Sequence, residues 1–179
     1  TQNSVKEKAL FPTIGNHGNG APDRETVLLE RALFLINREM RCMGTKLPGI
    51  CVISTGGTIS VNAGSKTEFT GYSSEGRPDG RLDSEQLVQM IPGIEAFADI
   101  TAKTAFAVPS SAIGEKELLT LGRIVNETLE QPDIDGVVVT HGTDSMEETA
   151  FFLHMTVKSE KPVVITGSMF PSAVLSADG

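Results

Sequence analysis

Tryptophan is absent from this chain, and tyrosine occurs once, at Tyr72. With eight phenylalanines added, aromatics reach only 5% of the sequence, too few for a surface that stacks nucleic-acid bases. Positive charge is also short: 15 Lys and Arg face 23 Asp and Glu, for a formal net charge of -8. An acidic chain does not favour phosphate backbones, so nucleic acid is not an expected partner. Cysteine occurs twice, at Cys42 and Cys51, and neither CxxC nor HExxH is found. No disulfide framework, metal site or metal cofactor is expected from that pattern. No apolar run approaches the roughly 18 residues of a membrane span. The longest near the start, Ala32–Ile36, has charges on both sides. What remains is the profile of a soluble protein that handles small molecules.

The 179 residues suffice for one domain with a sizeable core. Residues 1–46 read as an N-terminal extension. Thr1–Ala21 is a loose leader rich in Gly and Asn towards its end. Asp23 then caps a helix running to about Met43, with Leu28, Ala32, Ile36 and Met40 forming one apolar stripe. Residues 47–179 have a different texture. Apolar runs at Ile50–Ser54, Ile100–Val108, Val137–Thr140 and Val163–Thr166 read as strands. Helices are predicted from Asp83 or Ser84 to Met90, over Gly114–Gln131 and over Ser145–Val157. Val61–Arg81 reads as one long polar loop, of the kind that serves as a lid. The order βαβαβαβ, with continuous rather than alternating apolar strands, predicts a doubly wound, mostly parallel α/β sheet flanked by helices. The chain stops at Ser176–Gly179 with no helix after its last strand, so a truncated domain with an uncovered edge is expected.

In such folds ligands sit where strands hand over to loops at their carboxyl ends. Three strand ends here pair glycine with Thr or Ser: "STGGT" at Ser54–Thr58, "THGTDS" at Thr140–Ser145 and "ITGSM" at Ile165–Met169. Their hydroxyls can converge. A turn explains Gly57, but not the second hydroxyl, Thr58, just past it. The motif is neither GxGxxG nor GxxxxGK[ST], so a phosphate loop is not indicated. A threonine hydroxyl in a glycine-framed corner suits nucleophilic attack if a base takes its proton. Asp144, an ionised Tyr72 or a lysine from elsewhere are the candidates. Gly142 allows close backbone approach or a positive φ. Ser145 and Glu148 have the spacing of a capping box, so a helix should begin behind Asp144 with its positive end near the site.

Three motifs at matched spacing resemble the bacterial-type L-asparaginase/glutaminase family: "TGGTI" at Thr55–Ile59, "HGTDSMEETAFFL" at His141–Leu153 and "KPVVITGSM…SADG" over Lys161–Gly179. The resemblance implies an amidohydrolase that converts asparagine, and also glutamine in some members, into the acid and ammonia, with no cofactor. It implies Thr58 as nucleophile, Tyr72 as the lid tyrosine that activates it, Thr143 as second catalytic threonine and Asp144 as holder of the substrate α-amino group. Ser110 would hold the substrate carboxylate beside Ser111, with Gly57 and Gly142 lining the pocket and Ser168 offering a backbone carbonyl to the amide. The family forms homotetramers, and its catalytic lysine would lie beyond Gly179.

Ser111 stands where the family usually has Gln or Glu, which leaves the choice between asparagine and glutamine open. Phe170 stands in place of a common arginine, whose ion pairs a phenyl ring cannot make. The disulfide cysteines of secreted members have no counterparts, which favours the cytoplasm over secretion without deciding it. Without the lysine, these 179 residues are expected to be inactive alone. Two other readings stand beside hydrolysis: a non-catalytic remnant, and the asparaginase-like subunit of a tRNA-dependent amidotransferase. Against the last, the extension reads as one helix rather than a small β-domain, and the chain is acidic.

Overall fold

A computed structural model describes residues 46–62, 81–172 and 174–178. The leader, the helix expected from Asp23 to Met43, Cys42 and Tyr72 lie outside the described residues. Among the described residues, four strands form one sheet in the order β2-β1-β3-β4: β1 (Gly49–Gly56), β2 (Asp99–Val108), β3 (Gly136–Thr140) and β4 (Val163–Thr166). Every pairing is parallel. Between the strands run α1 (Ser84–Gln89), α2 (Glu115–Leu129) and α3 (Met146–Thr156). The alternating order expected from the sequence is the order found.

Burial explains which strands were easiest to read. The two central strands are enclosed on both faces, and β1 and β3 are buried along nearly their whole length. Cys51 and Ile53 of β1, with Val137 and Val139 of β3, pack against Leu121, Val125 and Leu129 of α2 and Leu153 of α3. The outer strands differ from the continuous apolar pattern: β2 and β4 alternate between exposed and half-buried residues, because among the described residues each has a neighbour on one side only. In β4, Val163 and Ile165 pack against the core while Val164 is half exposed.

The opposite face is covered by α1. Its Ser84 hydroxyl lies 3.1 Å from the Thr104 hydroxyl, and Thr104 is the register partner of Ser54, one step out of phase with the core-facing Ile53. Asp83 caps α1, accepting from the Gln86 N–H at 2.8 Å, while its own N–H donates to Gln86 Oε1 at 3.0 Å. Of the two starts that the sequence allowed, Asp83 is the cap and Ser84 the first helical residue. The ends of the long polar loop are pinned together. Val61 and Arg81 form an antiparallel bridge, and the Leu82 N–H donates to the Ser60 carbonyl at 2.7 Å. The loop carrying Tyr72 therefore leaves from and returns to the corner just after β1.

Candidate active site

The carboxyl ends of β1 and β3 meet at two glycines. Gly57 has φ 80° and ψ -178°, a region that essentially only glycine adopts. A side chain there would collide with the backbone of Gly142. Gly142 is not at positive φ; of its two possible uses, the structure shows close approach. A Cβ on Gly142 would lie 2.5 Å from the Ser110 hydroxyl and 3.2 Å from the Gly57 Cα. Each glycine is followed at once by a half-buried threonine, Thr58 and Thr143. Backbone contact between residues 57 and 142 thus brings the two candidate threonines to one corner.

Ser110 follows β2 in a 3-10 turn and is buried. Its hydroxyl donates to Asp144 Oδ2 at 3.1 Å and accepts from the Asp144 N–H at 3.1 Å. One serine therefore holds both the backbone and the carboxylate of Asp144, across 34 residues of sequence. Ser111 is exposed beside it. Ser168 is buried, and its hydroxyl donates to the Phe170 carbonyl at 2.8 Å. The hydroxyl's hydrogen is thus occupied within its own turn. The β4 end adjoins the same corner: the His141 N–H donates to the Thr166 carbonyl at 2.8 Å.

One expectation is corrected. Ser145 occupies the position before α3 but makes no side-chain cap, so the capping box with Glu148 is absent. The Ser145 hydroxyl instead donates to the Ser110 carbonyl at 2.8 Å. A long-range bond that clamps the Ser110 turn has displaced the local one. The positive end of α3 still lies directly behind Asp144, partly offset by Glu147 and Glu148 in its first turn.

Two fastenings were not visible in the sequence. The first hydroxyl of the β1 motif, Thr55, is structural: it donates to the Thr140 carbonyl at 3.0 Å and ties β1 to β3. His141 is completely buried. Its Nδ1 lies 2.6 Å from the Gly142 carbonyl and its Nε2 2.9 Å from the Thr149 hydroxyl. A carbonyl only accepts, so Nδ1 carries the hydrogen; in the neutral ring Nε2 then accepts from Thr149. The only signal for this in the sequence is a histidine before the glycine and a threonine one turn into the following helix. His141→Ala would strand two buried polar groups and open a cavity. The expected loss is about 3 kcal/mol or more, read from denaturant unfolding.

The family described as "Asparaginase, N-terminal" matches residues 49–179. The chain is 44% identical over 130 residues to the glutaminase-asparaginase of Acinetobacter glutaminasificans, covering 73% of this chain and 38% of that protein. It is 46% identical over 133 residues to L-asparaginase 2 of Bacillus subtilis, covering 74% of this chain and 34% of that one. A crystal structure of a probable cytoplasmic L-asparaginase from Campylobacter jejuni matches with a TM-score of 0.65 and 40% identity, over 74% of this chain and 38% of that one. The chain thus spans little more than a third of the length of these relatives. By fold, by motif and by sequence, this chain belongs to the asparaginase family.

Proposed function

We propose that the protein hydrolyses the side-chain amide of L-asparagine, with Thr58 as nucleophile, in a site that these residues build in part. The contact between Gly57 and Gly142 carries the reading, because each glycine directly precedes one of the two threonines, Thr58 and Thr143, at the carboxyl end of the sheet. The relatives named asparaginase and glutaminase-asparaginase support the reaction class.

In this mechanism the Thr58 hydroxyl oxygen attacks the amide carbon and its proton passes to a base. The C–N bond then breaks, the nitrogen leaves as ammonia with a proton, and an aspartyl ester remains on Thr58. Water attacks the ester and returns a proton to Thr58. Tyr72, on the loop pinned at Val61 and Arg81, is the activating group at the first threonine. Thr143 and Asp144 serve the second step and the substrate α-amino group, with a lysine supplied from outside these residues. A free α-amino group would complete the Asp144 carboxylate that Ser110 holds in place. Ser110 and Ser111 face the substrate carboxylate, near the positive end of α3. Glutamine is an alternative substrate, and Ser111 is the residue placed to choose. The site is completed by further chain and by a neighbouring copy in a homo-oligomer.

Ammonia release from L-asparagine by the full-length protein tests the reading. Release is expected, and none from either asparagine or glutamine would favour a non-catalytic remnant. Ser110→Ala should raise KM about 10- to 100-fold with less effect on kcat, since hydrogen bonds to charged groups are worth about 1.5–3 kcal/mol. An unchanged KM would remove Ser110 from the substrate.

A further inference from the structure

Asp178 lies twelve residues past the end of β4 and accepts two hydrogen bonds from the turn that follows the strand. The Met169 N–H donates to its Oδ2 at 3.1 Å and the Phe170 N–H to its Oδ1 at 3.0 Å. Two successive backbone N–H groups thus converge on one carboxylate, as in an anion-binding nest. The peptide bond is planar and trans, so the C=O of one residue points opposite to the N–H of the next. Pinning the Met169 N–H therefore turns the Ser168 carbonyl away from Asp178. Asp178 is exposed and Ser168 is buried, so a Ser168 carbonyl turned away from Asp178 is turned towards the interior. Inward lies the corner of His141 and Gly142, joined to β4 through the Thr166 carbonyl. The Ser168 hydroxyl, donating to the Phe170 carbonyl, closes the same turn from inside.

We propose that Asp178 is a positioning residue: by holding the Met169 and Phe170 N–H groups it aims the Ser168 carbonyl at the amide of the substrate. This rests on the amidohydrolase reading of the site. The carbonyl accepts from the amide –NH2 and orients the leaving nitrogen. Asp178 itself touches no reacting atom. The bond from Phe170 is the first cause that holds the Asp178 carboxyl below its ordinary range, against a smaller upward push from desolvation. A group with a lowered folded value contributes in full above the ordinary carboxylate range and loses that contribution as pH falls through the lowered value. The turn is accordingly expected to be held at neutral pH and released in acid.

The test uses the full-length protein with Asp178→Ala and Asp178→Asn. In the alanine variant, amide hydrogen exchange at Met169 and Phe170 should rise about tenfold or more, with exchange in β1 and β3 unchanged. Its kcat should fall about tenfold or more while KM moves less than about threefold, since the carbonyl meets the leaving nitrogen and not the groups that anchor the substrate. The asparagine variant keeps one acceptor oxygen and should recover part of both. Unchanged exchange at the two amides would overturn the proposal. So would faster exchange with an unchanged kcat, which would leave Asp178 a structural tie only. Should the wild-type protein release no ammonia, the amidohydrolase reading and the catalytic part of the proposal fail together, and the exchange comparison still decides whether Asp178 holds the turn.

Discussion

Thr58→Ala in the full-length protein is expected to lower kcat for L-asparagine by roughly a thousandfold or more, as removal of a nucleophile does. The protein should remain folded. The turn after β1 is held by backbone bonds, Ser60 N–H to the Gly57 carbonyl at 3.2 Å and Val61 N–H to the Thr58 carbonyl at 2.9 Å, and alanine keeps both. A half-buried methyl and hydroxyl are lost, for about 1 kcal/mol or less. Thr58→Ser keeps the hydroxyl and should retain measurable activity. Thr55→Ala offers the contrast within one motif. It should cost about 0.5–1.5 kcal/mol of stability by removing the buried bond to the Thr140 carbonyl, with catalysis reduced only indirectly. If Thr58→Ala turned over within about tenfold of wild type, the nucleophile would have to be sought elsewhere.

The second large effect is structural. Gly57→Ala forces a side chain into a conformation worth about 1–3 kcal/mol of strain. The new Cβ also meets the Gly142 backbone, which has no rotamer to yield. Overpacking adds about 1–3 kcal/mol, so a loss of about 2–6 kcal/mol is expected from chemical denaturation. Activity should vanish even where the protein stays folded, because in the proposed site the backbone on which Thr58 and Thr143 sit is held by the same contact. Gly93→Ala is the control. Gly93 also has positive φ, 79°, but in the ordinary left-handed region of a turn that leads into the start of β2, not at the carboxyl ends of the strands. It should cost only about 1–2 kcal/mol and leave kcat unchanged. Equal losses from the two substitutions would mean that the glycine contact adds nothing.

How much of this was legible in the sequence follows from the range of each interaction. β1 and β3 read clearly because burial on both faces leaves an unbroken apolar run in each, Ile50–Ile53 and Val137–Val139. α2 read clearly because one face repeats as Leu118, Leu121, Val125 and Leu129, the last three buried against the sheet. The glycine–hydroxyl strand ends were legible as chemistry, since a parallel sheet gathers its carboxyl ends. The bonds that hold those ends were not. Ser145 had a local partner at capping-box spacing and took a carbonyl 35 residues away instead. Thr55 and Thr58 look alike in the motif, yet one is spent on the Thr140 carbonyl, 85 residues distant. His141 stands inside the "THGTDS" motif, yet it is enclosed between a carbonyl and a hydroxyl. Such pairings depend on register between strands, which no local pattern encodes.

The most direct measurement is peptide mass mapping of the full-length protein, quenched in acid during turnover of L-asparagine. An aspartyl ester on the peptide containing Thr58, missing from Thr58→Ala, is the predicted result. An ester on any other residue, or ammonia release by Thr58→Ala at the wild-type rate, would contradict the assignment of Thr58 as the nucleophile of an amidohydrolase.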